Sequence, residues 1–271
     1  MCDDNTLDDN EHALASSVTR RKFGIISSTA AVATLLPPVA NAMSTVESDV
    51  VVDTPDGKAD GYFVHPASGK HPAVLIWPDI FGLRPAFRLM GKRLAENGYS
   101  VLVVNPYYRK LEAPVQLPNL ENKRAPENWD LLRSLAGSLS PKTNATDAAA
   151  FINYLDKQDA VDTRKKVGTT GYCMGGPMTM ITAAHVPGRI GAGASFHGGG
   201  LATDKPDSPH LLIPTMTADY LVAVAANDDE RNPEEKETLR TAFAATNNDI
   251  CLRRILKTQV FHRDVTNVID L

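Results

Sequence analysis

The chain has 271 residues, 43% of them apolar and 22% charged, which suits one α/β domain able to bury a full core without disulfide staples. A formal charge of -4 and a pI near 6.0 leave no basic footprint, so nucleic-acid binding is disfavoured. Cys2, Cys173 and Cys251 do not make a disulfide framework, and no His/Cys/Asp cluster has ligand spacing, so neither a metal nor an organic cofactor is expected.

Residues 1 to 18 are polar and acidic. Thr19-Arg20-Arg21-Lys22-Phe23-Gly24 then precedes an apolar stretch from Ile25 to Leu36, and Ala40-Asn41-Ala42 supplies small residues for cleavage. The order resembles a twin-arginine export signal, which implies a leader over residues 1–42, a domain over 43–271 and a periplasmic product. The apolar run is short for a membrane span, so no stable membrane association is expected once the leader is gone. An uncleaved anchor or a chance Arg-Arg pair is the alternative. Cleavage after Ala42 would remove Cys2, and export of a folded chain would suit an enzyme with one working thiol.

Along the expected mature chain, Val50-Val51-Val52, a Pro55-Asp56-Gly57 turn and Ala59 to Val64 read as a β-hairpin at the sheet edge. Ala73-Val74-Leu75-Ile76-Trp77 is a wholly apolar run of the kind expected of a strand covered on both faces. Arg88 to Asn97 has helical spacing and stops at Gly98, and Val101 to Val104 is the next buried strand. Residues 107–141 are rich in proline and charge, with Trp129 in their middle. They read as a long excursion over the site, helical near Asp130 to Leu139. A helix is expected from Thr146 to Leu155.

The run Val167 to Met178 carries the chemistry. A β-prone segment enters it, Gly171-Tyr172-Cys173-Met174-Gly175 turns it, and Met178 to Ala184 reads as helix. A nucleophile at the tip of such a turn is lifted clear of the sheet, and strand and helix come so close that only Gly171 and Gly175 fit. The helix N-terminus behind the sulfur favours thiolate, the reactive form. A buried structural cysteine in a glycine-rich turn is the alternative.

Further strands are expected over Ile190 to Phe196, ending at His197-Gly198-Gly199-Gly200, and over Tyr220 to Ala225, ending at Asn227-Asp228-Asp229-Glu230; Glu234 to Thr246 reads as helix. His197 could mark a second site, but a strand-end cap followed by closely passing glycines accounts for it. Alternating strands and helices predict an α/β fold, a mostly parallel sheet with helices on both faces. Loops at the carboxyl ends of the strands should carry the site.

Trp77-Pro78-Asp79-Ile80-Phe81-Gly82, Asn105-Pro106-Tyr107-Tyr108-Arg109, Gly171-Tyr172-Cys173-Met174-Gly175-Gly176 and Asn227-Asp228-Asp229 through Pro233 occur in the order and spacing of the dienelactone hydrolase family, which the chain resembles over residues 48 to 246. The resemblance implies an α/β-hydrolase that cleaves a small anionic lactone or ester through a Cys-His-Asp triad and a thioester. Cys173 would be the nucleophile and Asp229 the orienting acid, with Asp228 a close competitor. The backbone N–H groups of Met174 and Ile80 would form the oxyanion hole. Asp79 stands where the family has a glutamate beside the thiol, and Arg109 where it has an arginine for the substrate carboxylate. Both could instead be surface ion pairs. A monomer is expected.

The family histidine falls nearest His262, about thirty residues past the acid, although its neighbours differ from the family pattern. Two readings stay open. His262 is the base on a divergent C-terminus, or the residues after about 248 are a frame-shifted or truncated end, leaving the fold incomplete there and no proper base. The second supports a rival function, a catalytically impaired or non-catalytic homologue acting as a binding protein. A thiol redox protein using Cys173 and Cys251 lacks any Cys-x-x-Cys.

Overall fold

The computed structural model describes residues 42–122 and 124–255. Residues 1–41 of the expected 1–42 leader and His262 therefore lie outside the described residues. Eight strands form a single sheet in the order β1-β2-β4-β3-β5-β6-β7-β8. Strands β1 (Thr45–Thr54) and β2 (Gly57–Pro66) make the expected hairpin, joined through Pro55 and Asp56, with Gly57 in the left-handed region at φ 135°. β2 runs antiparallel to β4 (Ser100–Val104), and every later pairing is parallel.

The centre of the sheet is built from strands buried on both faces. All five residues of β3 (Ala73–Trp77) and all five of β4 are buried. Val74 and Ile76 point into one core with Phe87 and Leu94 of helix α1 (Pro85–Glu96). Leu75 and Trp77 point into the other, with α3 (Pro141–Asp156), α4 (Gly175–His185) and α6 (Glu234–Ala244). Period-two alternation in wholly apolar runs thus produces the two-sided layering.

Three helices begin earlier than their apolar spacing predicts. α1 starts at Pro85 rather than Arg88, α2 (Pro126–Gly137) at Pro126 rather than Asp130, and α3 at Pro141 rather than Thr146. Each has proline in its first turn, where a missing N–H costs nothing and φ is already helical. Ser140 adds a reciprocal capping box with Thr143. Asn227–Glu230, expected as loop, lies in a short helix α5 (Ala226–Arg231), whose first turn holds Asp228 and Asp229 near the positive helix end.

Register brings the strand ends level. Trp77 pairs with Gly171 of β5 (Val167–Tyr172) and Gly171 with Ser195 of β6 (Ile190–Phe196). Phe196 pairs with Ala223 of β7 (Asp219–Ala225), and Ala225 with Ile255 of β8 (Ile250–Ile255). Residues 78–82, 105–109, 173–174, 197–200 and 226–229 therefore all leave the sheet at its carboxyl end. β8 forms despite the adjacent Arg253 and Arg254, at the end of the strand order.

Candidate active site

Cys173 follows directly on β5. Its N–H continues the sheet by donating to the Phe196 carbonyl at 3.0 Å, and its own carbonyl accepts Gly176 N–H at 3.0 Å. Between those bonds the residue adopts φ 52°, a left-handed value rare outside glycine and kept only where the surroundings over-determine it. The surroundings are mostly backbone, with Ser195 and Thr179 side chains beside it. A Cβ on Gly171 would stand 2.1 Å from the Gly175 oxygen, and one on Gly175 would stand 2.3 Å from the Trp77 oxygen. A Cβ on Gly176 would meet the Gly198 Cα at 2.7 Å. The glycines of the turn are thus required by contact, and the 197–200 stretch does pass close behind it, as expected. His197 is held at the end of β6 with φ 42° and its N–H on the Ala223 carbonyl at 2.8 Å.

Neither Cys173 nor Cys251 forms a disulfide among the described residues; Cys173 is buried and Cys251 partly so. Met174 precedes the first turn of α4, so the eleven-residue helix directs the partial positive charge of its N-terminus toward the sulfur-bearing turn.

Ile80 and Met174, the two residues expected to supply the oxyanion donors, are brought together. The Tyr107 hydroxyl lies 2.9 Å from the Ile80 carbonyl oxygen and 3.2 Å from the Met174 sulfur. Neither the Ile80 nor the Met174 N–H donates to a backbone acceptor among the described residues. The excursion packs on the same loop: Phe81, Trp129 and Leu132 form a small core with Ile80, Val115 and Leu117 against it.

Asp79 is only 1% exposed, and its carboxylate is held by a fork that sequence reasoning missed. Arg84 donates from Nη1 to Oδ1 at 2.6 Å and from Nη2 to Oδ2 at 2.8 Å, while Oδ1 also accepts Phe81 N–H at 3.0 Å. The guanidinium carbon lies 4.9 Å from the centre of the Phe87 ring. Asp79 therefore fixes the 79–82 turn instead of reaching for the thiol, and its ion pair is largely buried. The signal was Arg84 five residues on, at the start of α1.

Arg109 is likewise committed to protein carboxylates. Nη1 and Nη2 donate to Asp147 at 2.8 and 2.6 Å, and Nε and Nη2 donate to Asp56 at 3.0 and 2.6 Å. Both forked edges are thus filled by protein carboxylates, as in the ion-pair alternative to an edge presented to a substrate carboxylate. Tyr108 completes the cluster by donating to Asp147 at 2.8 Å, and the fork lies over its ring.

Asp229 is 8% exposed on α5, and Lys236 Nζ donates to its Oδ1 at 2.7 Å. It is the more buried of the two candidate acids, Asp228 being partly exposed. His262 lies outside the described residues, so the structure places Asp229 and not its expected partner. Among the described residues no His/Cys/Asp/Glu group is arranged to hold a metal, and no helix is long and apolar enough to cross a membrane.

Comparison with known proteins bears on the family and the fold. Several curated relatives carry the name "Putative carboxymethylenebutenolidase". That of Synechocystis sp. is 31% identical over 142 residues, 52% of this chain and 54% of its own. That of Methylorubrum extorquens is 26% identical over 203 residues, 71% of this chain and 66% of its own. The chain thus spans between half and two thirds of the length of these relatives. Among solved structures, the dienelactone hydrolase of Anabaena variabilis superimposes with a TM-score of 0.59 at 20% identity, covering 83% of this chain and 93% of that one. A dienelactone hydrolase-like promiscuous phosphotriesterase from metagenomic libraries gives 0.63 at 21% identity, covering 78% and 82%. These two establish the α/β-hydrolase fold. The sequence model described as the dienelactone hydrolase family matches residues 59–254, and with the strand order and the cysteine turn this identifies the chain as a member of the dienelactone hydrolase family.

Proposed function

We propose that this protein is a carboxylic ester hydrolase acting on a small lactone or ester through Cys173. The observation that carries the reading is the left-handed Cys173 at a strand-to-helix turn closed by backbone contacts at Gly171 and Gly175. The names of the relatives support the same class.

In the proposed reaction the Cys173 thiolate adds to the carbonyl carbon, and the carbonyl π electrons move onto oxygen, where Ile80 and Met174 N–H receive the charge. Collapse of the adduct expels the alkoxide, which takes a proton from the His262 imidazolium, and leaves a thioester. His262 then accepts a proton from water, whose oxygen attacks the thioester, and the thiolate departs as the acid product forms. Asp229 orients the imidazole. The His262 assignment is supported by sequence position alone. An anionic substrate recognised by Arg109 would have to displace Asp56, whose side chain is 44% exposed against 3% for Asp147.

Hydrolysis of 4-nitrophenyl acetate across pH tests the reading. Wild type is expected to show a burst of nitrophenol, absent in Cys173→Ala, and His262→Ala should lower turnover by at least about a thousandfold. Equal turnover by wild type and Cys173→Ala removes the nucleophile; unchanged turnover in His262→Ala removes only the base. We also propose twin-arginine export, supported by Arg20-Arg21 and the apolar run behind it. Periplasmic recovery of wild type with cytoplasmic retention of the Arg20→Lys, Arg21→Lys double variant is the expected fractionation, and identical distributions would refute it.

A further inference from the structure

We infer that the Tyr107 hydroxyl sets the geometry of the oxyanion hole, which makes Tyr107 a positioning residue for the reaction proposed above. The inference rests on that reading and on three features of the structure.

Tyr107 is itself fixed. Its side chain is fully buried, its N–H donates to Asn105 Oδ1 at 3.0 Å, and its carbonyl accepts Lys110 and Leu111 N–H at 2.7 and 3.1 Å. Asn105 is anchored in turn, its Nδ2 donating to Asp60 at 2.8 Å and to the Leu111 carbonyl at 2.9 Å. The ring lies flush on the oxyanion loop: Gly82 has φ 69°, and a Cβ there would stand 3.4 Å from the ring edge.

From this base the hydroxyl reaches the two donor-bearing residues at once. It has one proton to give, and a carbonyl is a far better acceptor than a thioether, so the proton goes to Ile80 and the Met174 sulfur packs alongside. The Ile80–Phe81 peptide is then held from both sides, at its N–H by Asp79 Oδ1 and at its C=O by Tyr107. The preceding peptide is held at its carbonyl, where Asp79 O accepts Gly82 N–H at 2.9 Å. In a trans peptide the N–H points opposite to the carbonyl, so these bonds aim the Ile80 N–H away from the turn. Removing the hydroxyl frees the Ile80 carbonyl and lets that aim drift, while the sheet and the cysteine turn keep their own bonds.

The test separates aim from general integrity by comparing two reactions of the same sulfur. Acylation by 4-nitrophenyl acetate passes through an oxyanion. Alkylation by iodoacetamide does not, because sulfur displaces iodide at a saturated carbon. In the full chain, Tyr107→Phe should slow acylation about tenfold or more, leave KM within about twofold, and alkylate Cys173 within about twofold of the wild-type rate. Acylation at the wild-type rate, or acylation and alkylation falling in parallel, overturns the inference while the nucleophile assignment stands on the loss of activity in Cys173→Ala. Turnover that survives Cys173→Ala overturns the nucleophile assignment and this inference with it.

Discussion

The proposed oxyanion hole has two halves, and they are held by different physics. The Met174 half is built from backbone against backbone: Gly171, Gly175 and Gly176 allow strand, helix and neighbouring loop to touch, and few side chains are involved. The Ile80 half is built from side chains, Arg84 on Asp79 from five residues away and Tyr107 on the Ile80 carbonyl from twenty-seven. Close packing of main chain has no flexible part that can give way, whereas a hydrogen-bonded loop can be weakened one bond at a time. The first half should therefore fail as a fold and the second as an aim.

The largest expected effect follows from the first half. Gly175→Ala would place a methyl 2.3 Å from the Trp77 carbonyl oxygen and 2.8 Å from that of Pro78, both backbone atoms of the strand end and the loop it leads into. Relief requires moving the strand or the helix, so a loss of about 3 kcal/mol or more is expected. Urea unfolding should show a large fall in midpoint or no folded protein, and a midpoint near wild type would mean that the close approach is not fixed.

Asp79→Asn probes the other half. The substitution keeps shape and one acceptor but leaves Arg84 without its bidentate partner beneath the Phe81 and Phe87 rings. Arg84 retains 22% side-chain exposure, so water can take over part of the loss, and about 2 kcal/mol is expected, less than for a sealed pair. Acylation should slow together with the fall in stability, because the same carboxylate holds Phe81 N–H. A variant that loses stability and acylates normally would show that the ion pair ties down α1 and not the oxyanion loop.

This division also explains what could be read from the chain. Apolar runs such as Ala73 to Trp77 and the glycines around Cys173 are local signals, and local signals dictated the layered sheet and the turn. Helix starts were misplaced because apolar periodicity begins only where a face is buried, whereas Pro85, Pro126 and Pro141 mark starts by their φ. The partners of Arg109 are unreadable for a different reason. A guanidinium fork takes whichever carboxylates the fold delivers, and Asp147 reaches Arg109 from thirty-eight residues away, on a helix across the excursion. Tyr107 was visible inside its motif, but nothing local says that its hydroxyl reaches Ile80.

The smallest effect lies where the two kinds of holding meet. Gly198 packs on Gly176 behind the cysteine turn, and the loop it opens is tied down by Glu235, whose Oε1 accepts Leu201 N–H at 2.6 Å and Ala202 N–H at 3.1 Å. Partial burial pushes the Glu235 carboxyl above its ordinary range, against the lowering effect of those two bonds. The folded chain then binds this proton more tightly than the unfolded chain, so the contribution of Glu235 to stability is complete below the ordinary glutamate range and is lost as pH rises through the folded value. Glu235→Gln keeps an acceptor oxygen and cannot ionise. The wild type should therefore gain on the variant as pH falls from neutral toward 4, by about 0.5 kcal/mol after solvent screening, read as a small difference in the pH dependence of the unfolding midpoint. If the wild type instead gains as pH rises, the two N–H groups hold the carboxylate more strongly than burial disfavours it. The loop behind the cysteine turn would then be clamped by charge, as the Ile80 loop is, and not by close packing alone.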